Sequence, residues 1–146
     1  MWLFTDFGFF SVVKHKSKDS TLVVRGRSLG DLRRLVQGYG SIMDVREDDI
    51  RVTPDSDYYC RVEVNQTSWS NVLFQVSENI DYPNFKDSVH ERMGSRRAET
   101  YMDVWSIMYS FQNWEKKNDL NKGQDQAYDQ YNETPSNTSR GEKDNG

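Results

Sequence analysis

The sequence predicts an α+β domain: one antiparallel four-stranded sheet with helices packed on one face, in ββα-ββα order plus a C-terminal helix. Three observations carry this. Short apolar runs come in pairs joined by polar turns, as antiparallel hairpins require. Each pair is followed by a capping residue and an apolar stripe at helical spacing. Strong hydrophobes thin out after Trp114, where only Leu120, Tyr128 and Tyr131 interrupt a polar run.

Residues 3–15, rich in Phe and Val around Gly8, read as one strand with a bulge or bend at the glycine. Residues 16–20 are a polar turn, and Leu22 to Arg27 alternate as a second strand. Ser28 is placed to cap a helix, Asp31 falls near its capping-box position, and Leu29, Leu32, Leu35 and Val36 form the stripe. Gly38 and Gly40 are expected to stop that helix. Ile42 to Val45 read as a short extended piece, and Asp49 to Thr53 as a third strand. Pro54 to Asp57 is turn chemistry, and Tyr58 to Asn65 a fourth strand. Asn65 or Thr67 caps a second helix with Trp69, Val72, Leu73, Val76 and Ile80 as its stripe; Pro83 ends it. From about Ser95, Ala98, Tyr101, Met102, Trp105, Met108, Tyr109 and Gln112 line a long third helix. The two ββα halves resemble a weak internal repeat.

A chain of 146 residues suits one domain. Its 35% hydrophobic content is low but uneven: residues 1–114 hold the core, and residues 115–146 read as a disordered polar tail. The net charge of -4 and a pI near 5.2 provide no whole-protein basic field for nucleic acid. A lone cysteine, Cys60, cannot close an internal disulfide and sits in a period-two run as a small core residue. The apolar start of the chain lacks a cationic region and carries Asp6, so it reads as a buried strand, not a membrane segment or leader. The three Asn-x-Ser/Thr matches, at Asn65, Asn132 and Asn137, read as chance.

Met1-Trp2-Leu3-Phe4-Thr5, Phe7-Gly8-Phe9-Phe10-Ser11, the segment Ile80 to Asp87, Tyr101 and Val104-Trp105 give the chain a resemblance. It resembles a group of short bacterial proteins, cyanobacterial members among them, over nearly all of residues 1–112. That group has no activity or catalytic residue to transfer. The resemblance implies a cytoplasmic setting in a bacterium or a bacteriophage-infected cell, with the tail as a lineage-specific addition.

Chemistry is thinly provided. His15 and His90 are far apart in sequence, and no metal, nucleophile or phosphate-loop motif is present, so no metal and no cofactor is expected. Asp81, Asp87 and His90 around the DYPNFKD segment could perform acid–base work. The preferred reading is a structural latch, with Tyr82 and Phe85 turned inward, Asn84 satisfying backbone groups and Lys86 outside. Strand parity places Arg25, Arg27, Arg51 and Arg61 with Glu63 on the sheet face opposite the helices, and Tyr59 beside them as a stacking platform for an anion or a nucleic acid. Lys86, Arg92, Arg96 and Arg97 form a basic cluster at the third helix. Weak catalytic evidence and four tryptophans, Trp2, Trp69, Trp105 and Trp114, favour a small non-enzymatic domain that binds a protein partner. Nucleic-acid or nucleotide-phosphate binding is second, and an enzyme third.

Overall fold

The computed structural model describes the backbone of residues 1–132 and the side chains of residues 1–119. Five strands, β1 (Trp2–Thr5), β2 (Gly8–Lys14), β3 (Thr21–Gly26), β4 (Arg51–Val52) and β5 (Cys60–Asn65), form an open antiparallel sheet in the order β1-β2-β3-β5-β4. The helices are α1 (Leu29–Met43), α2 (Gln66–Glu78), α3 (Phe85–Met93) and α4 (Ser95–Asn132). The α+β class and the antiparallel pairing agree with the sequence reading. The strand count does not.

The fifth strand comes from a hairpin where a single bent strand was expected. Thr5 makes the turn: its Oγ1 accepts from Phe7 N and Gly8 N and donates to Gly8 O, at 3.3, 2.9 and 2.8 Å. Asp6 and Phe7 are the two loop residues, and Thr5 pairs Gly8. Gly8 is required by packing, since a Cβ there would lie 2.6 Å from the Phe10 ring and 2.9 Å from Asp31 Cβ.

Gly38 and Gly40 do not stop α1. The helix continues to Met43 and ends at Asp44, which adopts a left-handed φ of 53°. A Cβ on Gly40 would come 2.7 Å from the Val45 carbonyl oxygen, so this glycine lets the departing chain pass close to the helix. Residues 42–45 are therefore helix end, not strand. The third expected strand shrinks to β4 because Glu47–Asp49 close a 3₁₀ turn, with the Asp49 carboxylate accepting from Arg46 N at 2.7 Å. Asn65 caps α2 by accepting from Thr67 N. Gly94, at φ +85°, divides α3 from α4, so four helices stand where three were expected.

Alternation along the strands directs Phe10, Val12, Val24, Val62 and Val64 to one face, against Leu32, Leu35 and Val36 of α1 and Trp69 and Val72 of α2. The neighbouring position, Phe9, pairs Phe4 and points the other way. These two rings pack with Val89 and Phe85 of α3 and with Ala98 and Tyr101 of α4. Helices therefore lie on both faces of the sheet, not one. Each fully buried apolar side chain contributes about 1.5–3 kcal/mol. The first cluster, with twelve buried residues against three, dominates the stability.

The chain divides into two compact units, Met1–Met102 and Asp103–Gly146. The helix runs past Trp114, where the folded part was expected to end, and reaches Asn132. Within residues 115–132 the helix formers Glu115, Leu120, Ala127, three Lys and three Gln favour helical backbone, against three Asn, three Asp and Gly123. The remainder of the expected tail, 133–146, lies outside the described residues.

Candidate functional site

Two buried carboxylates flank the β1–β2 hairpin. Asp31, at the first turn of α1, is 1% exposed. Its oxygens accept from Phe9 N at 3.0 Å, from Arg34 at 2.6 Å, and from both Arg97 Nη atoms at 2.8 Å. It is therefore no capping-box residue; it ties α1, β2 and α4 together. Asp6, in the hairpin loop, accepts from Ser88 Oγ at 2.7 Å and Arg92 at 2.6 Å. Burial opposes the Arg97 charge, but Asp31 outweighs it and raises the guanidinium pKa; Asp6 chiefly does the same for Arg92. Half of the expected basic cluster is thus structural. Arg92 and Arg97 hold α3 and α4 to the sheet.

The DYPNFKD segment leads into α3 with Tyr82 and Phe85 half-buried. Asn84 caps α3, its Oδ1 accepting from Lys86 N at 3.0 Å and Asp87 N at 3.3 Å. Phe85 stacks on Tyr101 with centroids 5.9 Å apart, and Tyr82 leans on Phe85 at 6.0 Å. A shallow depression of about 340 Å³ is lined by Asp81, Asn84, Asp87, Glu91 and Arg92 among others. Asp81 spends its carboxylate on Arg92, at 2.8 and 3.0 Å. His90 is not in this depression; its Nε2 meets Ser95 Oγ at 3.1 Å. The segment does not bring together the carboxylate–histidine pair that was the alternative to the latch. Among the described residues no group of three or more His, Cys, Asp or Glu could hold a metal ion. Burial pushes the Cys60 thiol pKa up, and Sγ donates to Gly26 O at 3.3 Å, so this cysteine fits the core reading.

The arginines do share a face. Trp2 pairs Ser11, Ser11 pairs Arg25, Arg25 pairs Arg61 and Arg61 pairs Arg51, so one rung crosses all five strands. Their surroundings differ. Arg51 pairs with Glu63 at 3.2 Å, and Arg27 donates to Asp57 O at 2.8 Å. Glu63 is also bonded by Lys18, which chiefly holds its carboxyl below the usual range. Arg25 donates to Ser11 Oγ at 2.7 Å, and Arg61 to Thr53 Oγ1 at 3.1 Å and Ser56 Oγ. Among the described residues neither meets a carboxylate within 4.0 Å, and the buried Nε of each lacks an acceptor. Arg25 and Arg27 stack on the buried Tyr58 ring, 4.4 and 4.6 Å from its centroid, and not on Tyr59. Tyr59 is exposed. β5 begins at Cys60, so Tyr58 and Tyr59 both lie in an irregular loop where strand alternation does not apply.

Of the four tryptophans, Trp2, Trp105 and Trp114 are exposed, but Trp69 is 3% exposed and belongs to the core. The segment from Trp105 to Trp114 carries more than an edge of its expected stripe. Trp105, Ile107, Met108, Tyr109, Phe111 and Trp114 are each between 48% and 68% exposed. Trp105 stacks on Tyr109 at 5.1 Å and Phe111 on Trp114 at 5.8 Å, within the helix itself. Sequence reasoning placed Trp105, Met108 and Tyr109 along one side of this helix, counted Trp105 and Trp114 as interface anchors, and passed over Ile107 and Phe111. The available signal was that apolar residues here occupy most of the helix circumference, beyond one stripe. No described helix is long and apolar enough to cross a membrane. Comparison of the chain with protein-family models, curated proteins and solved structures finds no match.

Proposed function

We propose that the chain is a non-enzymatic interaction or regulatory domain that binds a protein on α4 between Val104 and Trp114. The observation carrying this reading is the set of six large apolar side chains left in water on one helix. A lone helix has no interior in which to hide them. Four half-exposed rings, each able to bury about 150–250 Å², leave on the order of 400 Å² uncovered. Ile107 and Met108 extend this beyond the largest patch of an ordinary monomer, about 300–600 Å². Tryptophan and tyrosine are the usual anchors of such surfaces. Asp81 bound to Arg92, and His90 turned to Ser95, favour binding over acid–base chemistry. The cytoplasmic setting in a bacterium or phage-infected cell, drawn from the resemblance, belongs to this reading.

The test places a photo-reactive phenylalanine analogue at Ile107 or, as a control on the polar side of the helix, at Ser106. Irradiation in the source cell should give a discrete protein adduct from position 107 and none from 106. Adducts from neither position, or equal adducts from both, refute the reading.

A second reading, anion binding at Arg25 and Arg61, is favoured by their unaccepted Nε atoms and by the cross-strand pairing of two arginines that meet no carboxylate among the described residues. Two positive charges on neighbouring strands repel, and a bound phosphate would offset this. Titration with inorganic phosphate and a mobility shift with single-stranded probes test it at low salt. Binding should vanish in Arg25→Gln/Arg61→Gln. No binding by the wild-type chain removes the reading.

A further inference from the structure

We infer that the partner on α4 is a second copy of this chain, docked antiparallel along Val104, Ile107, Phe111 and Trp114; this rests on the protein-binding reading. These positions follow one another at intervals of three, four and three residues, the spacing of a coiled-coil seam. Partly buried Val104 and exposed Phe111 take the a positions, and exposed Ile107 and Trp114 the d positions.

Two features decide the partner and its direction. The first is size. Antiparallel pairing sets Val104 against Trp114 of the other copy and Ile107 against Phe111. Every layer then joins a small side chain to a large one, and the layers have similar width. Cores fill best when large and small residues alternate across facing positions. Parallel pairing would face Val104 with Val104 and Trp114 with Trp114, splaying one end of the seam.

The second feature is charge. The seam is flanked on one side by Asp103, Ser110 and Lys117 at the g positions. In the antiparallel register g faces g, so Asp103 of each copy meets Lys117 of the other, twice by symmetry, while Ser110 meets Ser110. In a parallel pair these two positions stay 14 residues apart, about 21 Å along the helix. The seam is self-complementary only in the antiparallel sense, which is what a two-fold contact between identical chains requires.

The area is modest. Two copies pooling on the order of 200 Å² of ring surface each, from Phe111 and Trp114, with Ile107 and Val104 beside them, fall well below the standard interface of about 1,600 Å², in the range of weak, reversible complexes. Trp105 and Tyr109 stack on each other off the seam, at b and f, and take no part in it.

Sedimentation equilibrium of the full chain tests this. The wild type should approach twice its 17.2 kDa near 100 μM and dissociate toward about 1 μM, as a micromolar dissociation constant requires. Ile107→Glu and Phe111→Glu, both at exposed positions, should give monomers with unchanged circular dichroism. Trp105→Ala/Tyr109→Ala should still dimerise. Asp103→Lys and Lys117→Asp should each weaken the dimer by about five- to tenfold, and the double exchange should restore it. Wild type that stays monomeric, a dimer indifferent to Ile107→Glu, or charge exchange without recovery would overturn the inference. A monomer whose Ile107 adduct is a different protein refutes only self-pairing, whereas a monomer with no adduct refutes the protein-binding reading as well.

Discussion

Replacing Asp31 by alanine tests whether the second helical layer is held to the sheet by charge. The carboxylate is almost fully buried and accepts four hydrogen bonds, two of them from the Arg97 fork. Its removal leaves the half-buried Arg97 without a counter-charge and Phe9 N–H without an acceptor. Breaking one partner of a buried ion pair costs about 3–5 kcal/mol. The stranded amide accounts for about 1–3 kcal/mol within such a loss. Arg34 is more exposed and regains water, so we place the total near 4 kcal/mol. Against a total stability of about 5–15 kcal/mol this is a large fraction. Urea denaturation at neutral pH, followed by tyrosine and tryptophan fluorescence, should show the midpoint falling by about 2–3 M. Arg97→Met should cost less, because the Asp31 carboxylate keeps Arg34 and the Phe9 amide. A double-mutant cycle should return a coupling of about 1–3 kcal/mol. An Asp31→Ala loss below about 1 kcal/mol, or zero coupling, would refute the argument that this network fastens α4.

Further outcomes follow from single contacts. Burial chiefly pushes the Tyr101 hydroxyl up to about 12, from 10. Between these values the unfolded chain releases this proton and the folded chain keeps it. Stability present below pH 10 should therefore decline on the order of 2 kcal/mol by pH 12, and Tyr101→Phe should remove that part of the slope in paired urea melts. Phe85→Ala should cost about 2 kcal/mol, below the range for a fully buried ring, because Phe85 is only half-buried. Asn84→Ala should cost about 1 kcal/mol as a lost helix cap, and denaturation that shows either variant more stable than wild type would count against the latch. Gly8→Ala should cost about 1–3 kcal/mol by overpacking against Phe10 and Asp31, measurable by thermal unfolding.

What the sequence disclosed follows the reach of local rules. Period-two runs and capping residues located β3, β5, α1 and α2, because these signals depend on a few neighbouring residues. The β1–β2 hairpin was hidden because its turn is built by the Thr5 hydroxyl, and Asp6-Phe7 carries none of the usual Asn-Gly signature. Gly38 and Gly40 misled because a glycine that admits a close backbone looks the same in sequence as one that ends a helix. Asp31 was read as a capping residue since its partners, Phe9 and Arg97, are 22 and 66 positions away. The alignment of Arg25, Arg51 and Arg61 was legible from parity, but Tyr58 was not, since parity holds only inside a strand. On α4 the aromatics were visible, whereas their exposure depends on which elements fold over them.

The hairpin loop has a consequence for the chain before it folds. From Trp2 to Val13 the sequence is a β-prone apolar run whose sole charge is Asp6. Such runs nucleate aggregation when exposed, and a charge within them is what keeps nascent chains apart. Asp6 therefore works twice, as a buried anchor for Ser88 and Arg92 in the native molecule and as a gatekeeper in the newly made one. Its loss should lower soluble yield by more than the native-state ion pair alone would suggest.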